Sequence, residues 1–303
     1  MKFRIRDQPG RRGQTTPTTV IDGQIYDAAD ASIYDPKLYK CESRYQSVNR
    51  FEDLDDAAIE HYRQQGYLVV QQAFSPDQVR DAKCALNEII DQQGVGSVSL
   101  QFESWAAGQL DKMDRRQKAL AVRKFMNFAD TDERLTTIAR HERLLQLLSR
   151  LMNGKVPEIL QDMSLLKPPQ GREKPWHQDR AYFNVASDTP IVGAWIALDQ
   201  ATVENGCMRI WPGRHREGAI LHFQRRDWQI CDTDIQGQAR TCVPLEPGGL
   251  LLFDSLLPHG TPENRTENER WALQFHYCPK NPNRIDDEDR MAVFGSEGKD
   301  VEC

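Results

Sequence analysis

The sequence lacks an apolar run long enough to cross a membrane, a Cys-x-x-Cys pair and an excess of basic residues. Its 303 residues include 39 Lys and Arg against 45 Asp and Glu, for a formal net charge of −6. A membrane span needs about 18 or more consecutive apolar residues, and a nucleic-acid-binding surface needs a basic patch. We therefore expect a protein that neither spans a membrane nor binds nucleic acid, while a local basic pocket could still hold an anionic small molecule.

Cysteine usage bears on the cellular compartment. The seven cysteines are scattered and odd in number, and no apolar leader opens the chain. This pattern is typical of a reducing environment. We predict a cytoplasmic protein, and the sequence indicates no particular oligomeric state.

The chain divides into a polar arm and one domain. Residues 1–50 are rich in Gly, Pro, Thr and Arg with scattered tyrosines such as Tyr26 and Tyr39. The arm either packs against the folded domain or a neighbouring subunit, or it is a partly disordered leader. Residues 51–303 are enough for a substantial core and fit a single domain.

Helical patterns dominate the domain up to about residue 155, and strands and turns dominate from residue 156 to about 280. Helices are predicted over residues 53–65, 76–92, 110–126 and 131–153. Ser75 and Pro76 are typical of an N-cap and a first helical position. Strands are predicted over residues 158–166, 191–198, 207–211, 250–253 and 270–278. This order predicts an all-β core with helical buttresses.

His177 and Asp179 are the first sign of a functional site. Residues two apart on a strand point to the same face, so both side chains can reach one ion while Gln178 points away. Downstream, a Gly-Gly turn, an apolar run and a short loop deliver His259. Two imidazoles and one carboxylate are ligands of non-haem Fe(II) that leave positions open for substrate and oxygen. His-x-Asp also occurs by chance, and the same ligands describe zinc sites, so the residues alone leave these alternatives open.

Arg270 opens a segment of alternating character. One face carries Trp271, Leu273, Phe275 and Tyr277, and the other carries Arg270, Ala272, Gln274 and His276. We predict a half-buried strand whose guanidinium binds a carboxylate with two hydrogen bonds. The alternative is a surface arginine that pairs with Glu267 or Glu269.

An ordered set of motifs resembles the phytanoyl-CoA dioxygenase family of Fe(II)- and 2-oxoglutarate-dependent oxygenases, from about residue 55 onward. The set comprises Gln161, Lys167-Pro168-Pro169, Pro175-Trp176-His177-Gln178-Asp179, Gly193-Ala194-Trp195-Ile196-Ala197-Leu198-Asp199, Glu204-Asn205-Gly206, Pro212-Gly213-Arg214-His215, His259-Gly260-Thr261 and Arg270. One departure is Arg214, which stands where the family usually has serine, so any role of that serine is absent here.

The resemblance implies a double-stranded β-helix, which is a cupin-like jelly roll, and it implies Fe(II), 2-oxoglutarate and O2 as the cofactor and cosubstrates. Carried over by position, the iron ligands are His177, Asp179 and His259. By the same comparison, Arg270 and Thr261 hold the distal carboxylate of 2-oxoglutarate.

Four further residues are weaker candidates. Trp195 matches a tryptophan near the cosubstrate, and Gln161 is placed in the cosubstrate site. His276 shares a strand face with Arg270, so we predict a substrate contact. Lys167 is a second candidate for substrate, although it could equally be a solvent-exposed group at the end of a strand. No catalytic residue is predicted beyond the metal ligands, and the expected chemistry needs no general base.

The resemblance implies hydroxylation of a small molecule, with 2-oxoglutarate and O2 converted to succinate and CO2. A related branch halogenates after a small residue has replaced the carboxylate ligand, so the presence of Asp179 favours oxygen transfer. Two alternatives are a non-catalytic metal- or small-molecule-binding jelly roll and a Zn-dependent hydrolase. Arg270 and Thr261 argue against both, because neither needs a dicarboxylate anchor.

Overall fold

A computed structural model describes residues 18–28, 34–41, 43 and 45–295. Its α-helices are α1 Asp56–Gln65, α2 Pro76–Asp91, α3 Arg115–Ala121, α4 Glu133–Ala139, α5 Glu142–Leu151, α6 Asp232–Ile235 and α7 Asp287–Phe294. Its strands are β1 Thr18–Ile21, β2 Gln24–Asp27, β3 Tyr67–Val70, β4 Ser99–Phe102, β5 Val122–Met126, β6 Pro157–Lys167, β7 Lys174–His177, β8 Val192–Ala197, β9 Met208–Ile210, β10 His222–Gln224, β11 Trp228–Ile230, β12 Thr241–Val243, β13 Leu250–Asp254, β14 His259–Thr261 and β15 Arg270–Pro279.

The first two helices begin and end where local chemistry predicts. The Asp55 side chain caps α1, which ends at Gly66 with a φ of 79° in the left-handed region that favours glycine. Ser75 and Gln78 form a capping box at the start of α2, and Pro76 is the first helical residue. Both predicted helices are confirmed.

The helix predicted over residues 110–126 is wrong in its second half. Within this range a short 3-10 helix over Leu110–Lys112 and α3 are helical. Residues 122–126 form β5, which pairs with β4 on one side and β6 on the other. The buried side chains of Val122 and Phe125 suit either structure, so the pairing with two neighbouring strands decides between them. As a result, Lys124 belongs to the sheet and lines the central cavity.

Two sheets form the core. The larger sheet has nine strands in the order β1-β2-β4-β5-β6-β15-β8-β13-β3, and the smaller has four in the order β12-β9-β14-β7. A cluster of buried side chains that includes Trp195, Met208 and Phe253 joins the two sheets. The predicted jelly-roll core with helices on its outside is confirmed.

Strand β15 is buried along its whole length, so the prediction of a half-buried strand is wrong. Trp271, Leu273, Phe275 and Tyr277 pack in one cluster with side chains from α2, α4 and α5. Arg270, Gln274 and His276 line the cavity instead. The helices cover one face and the smaller sheet lies over the other, which strand periodicity alone does not reveal.

The described part of the N-terminal arm packs against the jelly roll. Strand β1 pairs with β2, and β2 joins the larger sheet by parallel pairing with β4. The buried carboxylate of Asp27 lies 3.3 Å from Arg123 Nε and 2.5 Å from Arg172 Nε. Trp176 Nε1 donates a hydrogen bond to the Leu38 carbonyl oxygen at 3.0 Å. The interpretation in which the arm lies against the folded domain is therefore supported for residues 18–28 and 34–41.

Cys41 of the arm forms a disulfide with Cys242 of β12, across a Cα–Cα distance of 5.5 Å. Cysteine spacing did not predict this bond, because the two residues are brought together only by the tertiary fold. Disulfides are unusual in a reducing cytoplasm, so the location argued from cysteine usage stays a prediction. None of the described helices combines the length and apolar character needed to cross a membrane.

Candidate active site

Two neighbouring strands of the smaller sheet bring the predicted histidine ligands together. His177 ends β7 and His259 begins β14, and the two residues are directly opposite each other in the antiparallel pairing. Their ring centroids lie 4.3 Å apart. The sequence separates these residues widely, but the pairing register makes them neighbours.

Asp179 completes the group, although it lies just beyond the strand. Strand β7 ends at His177, and Asp179 opens a short 3-10 turn after the extended residue Gln178. Its Oδ1 atom lies 3.2 Å from His177 Nε2 and 3.5 Å from His259 Nε2. One ligand atom from each of the three residues falls within 4.8 Å of the others. Gln178 points away, as predicted, and its amide bonds the carbonyl oxygens of Gly218 and Leu256.

Backbone contacts hold both imidazoles ready for a metal. His177 Nδ1 lies 2.7 Å from the Pro175 carbonyl oxygen, and His259 Nδ1 lies 2.9 Å from the Leu257 carbonyl oxygen. A carbonyl oxygen only accepts, so each Nδ1 carries the hydrogen and each Nε2 keeps its lone pair. The donor set, two imidazole nitrogens and one carboxylate oxygen facing a common point, therefore fits Fe(II).

The protonation states also suit metal binding. Burial, and then the neighbouring His259 ring, lowers the pKa of His177 to about 4, so its imidazole is neutral near pH 7. Burial opposes the charged form of Asp179, but the His259 and His276 imidazoles hold the pKa of this carboxyl well below its usual range. Metal ligands must be deprotonated, and His177 and Asp179 meet that condition near pH 7.

The second oxygen of Asp179 is held by the larger sheet. Asp179 Oδ2 lies 2.7 Å from His276 Nε2 and 3.1 Å from Gln274 Nε2, both on β15. These contacts turn Oδ1 toward the two histidine ligands. Sequence reasoning placed His276 near the pocket but missed this partner, which only the packing of the two sheets reveals. His276 also lines the cavity, and its predicted contact with substrate stays a prediction.

A cavity of about 630 Å³ connects the three ligand residues with Arg270 and Thr261. The Arg270 side chain is 3% exposed, and its Nε and Nη1 atoms have no hydrogen-bond partner among the described residues. Its guanidinium lies over the Trp195 ring, 5.2 Å from the centroid. Burial lowers the pKa of Arg270 only to about 10, so it is charged at pH 7. The alternative of a surface arginine paired with Glu267 or Glu269 is wrong.

The remaining predicted residues also line this cavity. Gln161 lies opposite His276 in the pairing of β6 with β15, and Trp195 lies opposite Gln274 in the pairing of β8 with β15. Lys167 is 6% exposed and also faces the cavity, so the alternative of a solvent-exposed strand end is wrong.

Lys124 is one of the lining residues that sequence reasoning missed. Lys124 lies in the segment predicted as a helix, and a lysine in a helix gives no indication that it faces a binding cavity. Burial, followed by repulsion from Lys174, lowers its pKa to about 8. A cation with that environment is suited to contact an anion in the cavity.

Comparison with known proteins identifies the family. The family model for phytanoyl-CoA dioxygenase (PhyH) matches residues 62–272. Peroxisomal phytanoyl-CoA dioxygenase of Mus musculus is 25% identical over 285 residues, which cover 88% of this chain and 79% of the mouse protein. Phytanoyl-CoA dioxygenase of Arabidopsis thaliana is 24% identical over 246 residues, which cover 72% of this chain and 86% of the plant protein.

Solved structures agree on the fold. EvdO2 from Micromonospora carbonacea var. aurantiaca, complexed with 2-oxoglutarate, superposes with a TM-score of 0.61 at 23% identity, covering 80% of this chain and 98% of EvdO2. The family match spans more than half of the sequence. It confirms the predicted class, an Fe(II)- and 2-oxoglutarate-dependent dioxygenase that acts on a small molecule, and the chain belongs to the phytanoyl-CoA dioxygenase family.

Proposed function

We propose that His177, Asp179 and His259 hold Fe(II), that Arg270 and Thr261 hold the distal carboxylate of 2-oxoglutarate, and that the enzyme hydroxylates a small molecule. The observation that carries the proposal is one cavity in which these groups converge. Three ligand atoms lie within 4.8 Å of one another, and a buried guanidinium with free donors faces the same space.

Each group has a distinct task. The two imidazoles and the carboxylate would hold the metal, and this donor set would leave coordination positions open for cosubstrate and oxygen. Arg270 and Thr261 orient the keto acid, and Trp195 forms part of the wall behind the guanidinium. Gln161 is proposed as a further contact in the cosubstrate site, where it lines the cavity. When bound, iron and 2-oxoglutarate supply the oxidation, in which O2 gives one oxygen atom to succinate and one to the substrate as CO2 is released.

The surroundings favour this assignment over a Zn-dependent hydrolase or a non-catalytic binding protein. A hydrolytic site needs no group that binds a carboxylate away from the metal. Arg270 is a buried cation whose Nε and Nη1 donors have no partner among the described residues, so it is suited to bind an anion. Substrate, cosubstrate and metal would share one buried cavity, which excludes water from the reacting atoms. The predicted division into an arm of residues 1–50 and one domain, and the cytoplasmic location, belong to this proposal.

The reaction type follows from Asp179. Because its carboxylate occupies a coordination position that chloride would need, the product should gain one oxygen, or lose two hydrogens if desaturation replaces oxygen transfer. A metabolite screen for substrate-stimulated succinate formation would identify the substrate, and mass spectrometry under ¹⁸O2 would then identify the product. Chlorine incorporated from a chloride-containing buffer would contradict oxygen transfer. Succinate formation from 2-oxoglutarate that no metabolite or Fe(II) stimulates would contradict the proposed activity.

The support of Asp179 by β15 gives a separate prediction. Substituting His276→Ala should weaken Fe(II) binding about 10- to 100-fold, the usual loss when a metal ligand loses its hydrogen-bond partner. Anaerobic Fe(II) titration of the purified variant measures this change. A matched control is His61→Ala on α1, which lies outside the cavity and should bind iron like the wild type. Equal affinity in the His276 variant would show that Asp179 needs no such partner.

A further inference from the structure

Two buried basic side chains that line the cavity lie directly opposite each other. Lys167 ends β6 and Arg270 begins β15, and they are partners in the antiparallel register. Lys167 is 6% exposed and Arg270 is 3% exposed. Like charges at opposite positions destabilise a sheet, and burial of a charge is costly unless it is paired. This arrangement therefore calls for an anion.

Among the described residues no carboxylate forms an ion pair or a hydrogen bond with either side chain, although the charges of Glu173 and Glu103 favour protonated Lys167 without direct contact. The Lys167 ammonium donates hydrogen bonds to Thr261 Oγ1 at 2.9 Å and to the Pro262 carbonyl oxygen at 2.5 Å, and neither acceptor is charged. Cys207 and then Asp199 are the groups that favour protonated Arg270, and Asp199 is the carboxylate of the two. Its oxygens already accept hydrogen bonds from Lys83 Nζ and the Trp271 backbone N–H.

We propose that Lys167 is a specificity-determining residue of the 2-oxoglutarate anchor, in which its ammonium adds charge beside Arg270 and directs the Thr261 hydroxyl toward the bound distal carboxylate. This inference rests on the proposed function, because it assigns Lys167 to the cosubstrate and no longer to the primary substrate.

The hydrogen-bond geometry explains how Lys167 acts through Thr261. When Lys167 is protonated, as a bound carboxylate would favour, its amine has only donors, so Thr261 Oγ1 is the acceptor in their contact. The hydroxyl hydrogen is then free to point elsewhere, and no described group accepts it. A carboxylate placed between Thr261 and Arg270 would accept it and would meet two cations. Burial and the nearby Arg270 charge lower the pKa of Lys167 well below its usual value, and a bound carboxylate would offset both effects.

The consequence is selectivity for a keto acid with a charged distal end. Charge-assisted hydrogen bonds in a buried site are stronger than neutral ones. Lys167 should therefore contribute to binding of 2-oxoglutarate and contribute nothing to binding of 2-oxopentanoate, in which a methyl group replaces the distal carboxylate. A residue that only supports the fold would affect both keto acids alike.

The test measures the affinity of both keto acids for the full chain loaded with Mn(II), by anaerobic calorimetry. Wild type should prefer 2-oxoglutarate. In Lys167→Met, 2-oxoglutarate affinity should fall about 30-fold or more, as on loss of one partner of a buried charge pair, while 2-oxopentanoate affinity changes less than about twofold. Lys167→Gln, which keeps a donor without the charge, serves as a second variant if the methionine variant does not fold. The control is Lys155→Met, an exposed lysine after α5.

Each result has one interpretation. An unchanged preference for 2-oxoglutarate in both Lys167 variants would overturn the inference and leave the proposed function intact. An equal loss for the two keto acids would also overturn it, because the role would then be structural. If the Mn(II)-loaded wild type itself binds 2-oxoglutarate no better than 2-oxopentanoate, the anchor in the proposed function fails as well, and this is seen before any variant is made.

Discussion

Substituting His177→Ala should abolish both iron retention and succinate formation. The variant loses one of three ligands in a buried site. The other buried histidines nearby have partners of their own: His222 Nε2 accepts a hydrogen bond from the Gln178 backbone N–H at 3.0 Å, and His276 Nε2 lies 2.7 Å from Asp179 Oδ2. Loss of a mere hydrogen-bond partner of a ligand weakens metal sites by roughly 10- to 100-fold, so loss of a ligand should exceed about 100-fold. Metal analysis after desalting and a succinate assay with 2-oxoglutarate measure the two effects.

The control for this variant is thermal unfolding of the metal-free protein. His177 contributes one hydrogen bond to the Pro175 carbonyl oxygen, so the metal-free variant should unfold within a few degrees of the metal-free wild type. Iron bound at wild-type stoichiometry together with full turnover would place the metal centre elsewhere.

The metal centre could be predicted from sequence because two of its three ligands are close together in the chain and their spacing identifies them. Residues that are two positions apart on an extended segment point to the same face. This holds for His177 and Asp179 even though the strand ends at His177. The extended backbone of Gln178 preserves the alternation. His259 required more than local pattern, since its place opposite His177 depends on the pairing of β7 with β14. The family resemblance supplied that step.

The residues that surround the metal ligands, and the contacts they make, could not be predicted in the same way. The contact of His276 with Asp179 joins residues on two sheets, and strand alternation gives a face but not what that face meets. Lys124 was missed for a related reason, because its segment suits a helix until β4 and β6 flank it. The Cys41–Cys242 bond likewise depends on where the arm crosses the jelly roll.

The strand face predicted for Arg270 is correct, but the burial of that face changes what its position implies. Alternation placed it on the less apolar face of its strand, which left a surface ion pair as an alternative. The structure buries both faces of β15, so the guanidinium has lost water without gaining a carboxylate. A buried cation without a counter-ion is costly, and this cost is the physical reason to expect a bound dicarboxylate.

Substituting Arg270→Ala should raise the apparent KM for 2-oxoglutarate by orders of magnitude. Removing one partner of a buried charge pair costs about 3 to 5 kcal/mol, which corresponds to a rise of roughly 100-fold to 4,000-fold at about 1.4 kcal/mol per tenfold. Arg270→Lys should recover only part of this loss, because an ammonium keeps the charge but lacks the planar fork that binds both oxygens. Initial rates of succinate formation over a range of 2-oxoglutarate concentrations measure the effect.

The matched control is Arg80→Ala, whose side chain is 63% exposed and pairs with Asp77 on the surface of α2; its KM should match that of the wild type. The Arg270 variant should still retain iron, because Arg270 contacts none of the three ligand residues and binds the far end of the cosubstrate. Loss of 2-oxoglutarate affinity with iron retained separates the anchor from the metal centre, whereas an unchanged KM in Arg270→Ala would locate the anchor elsewhere. That outcome would also leave Arg270 and Lys167 without a bound anion, although they are buried opposite each other on β15 and β6 and would repel each other.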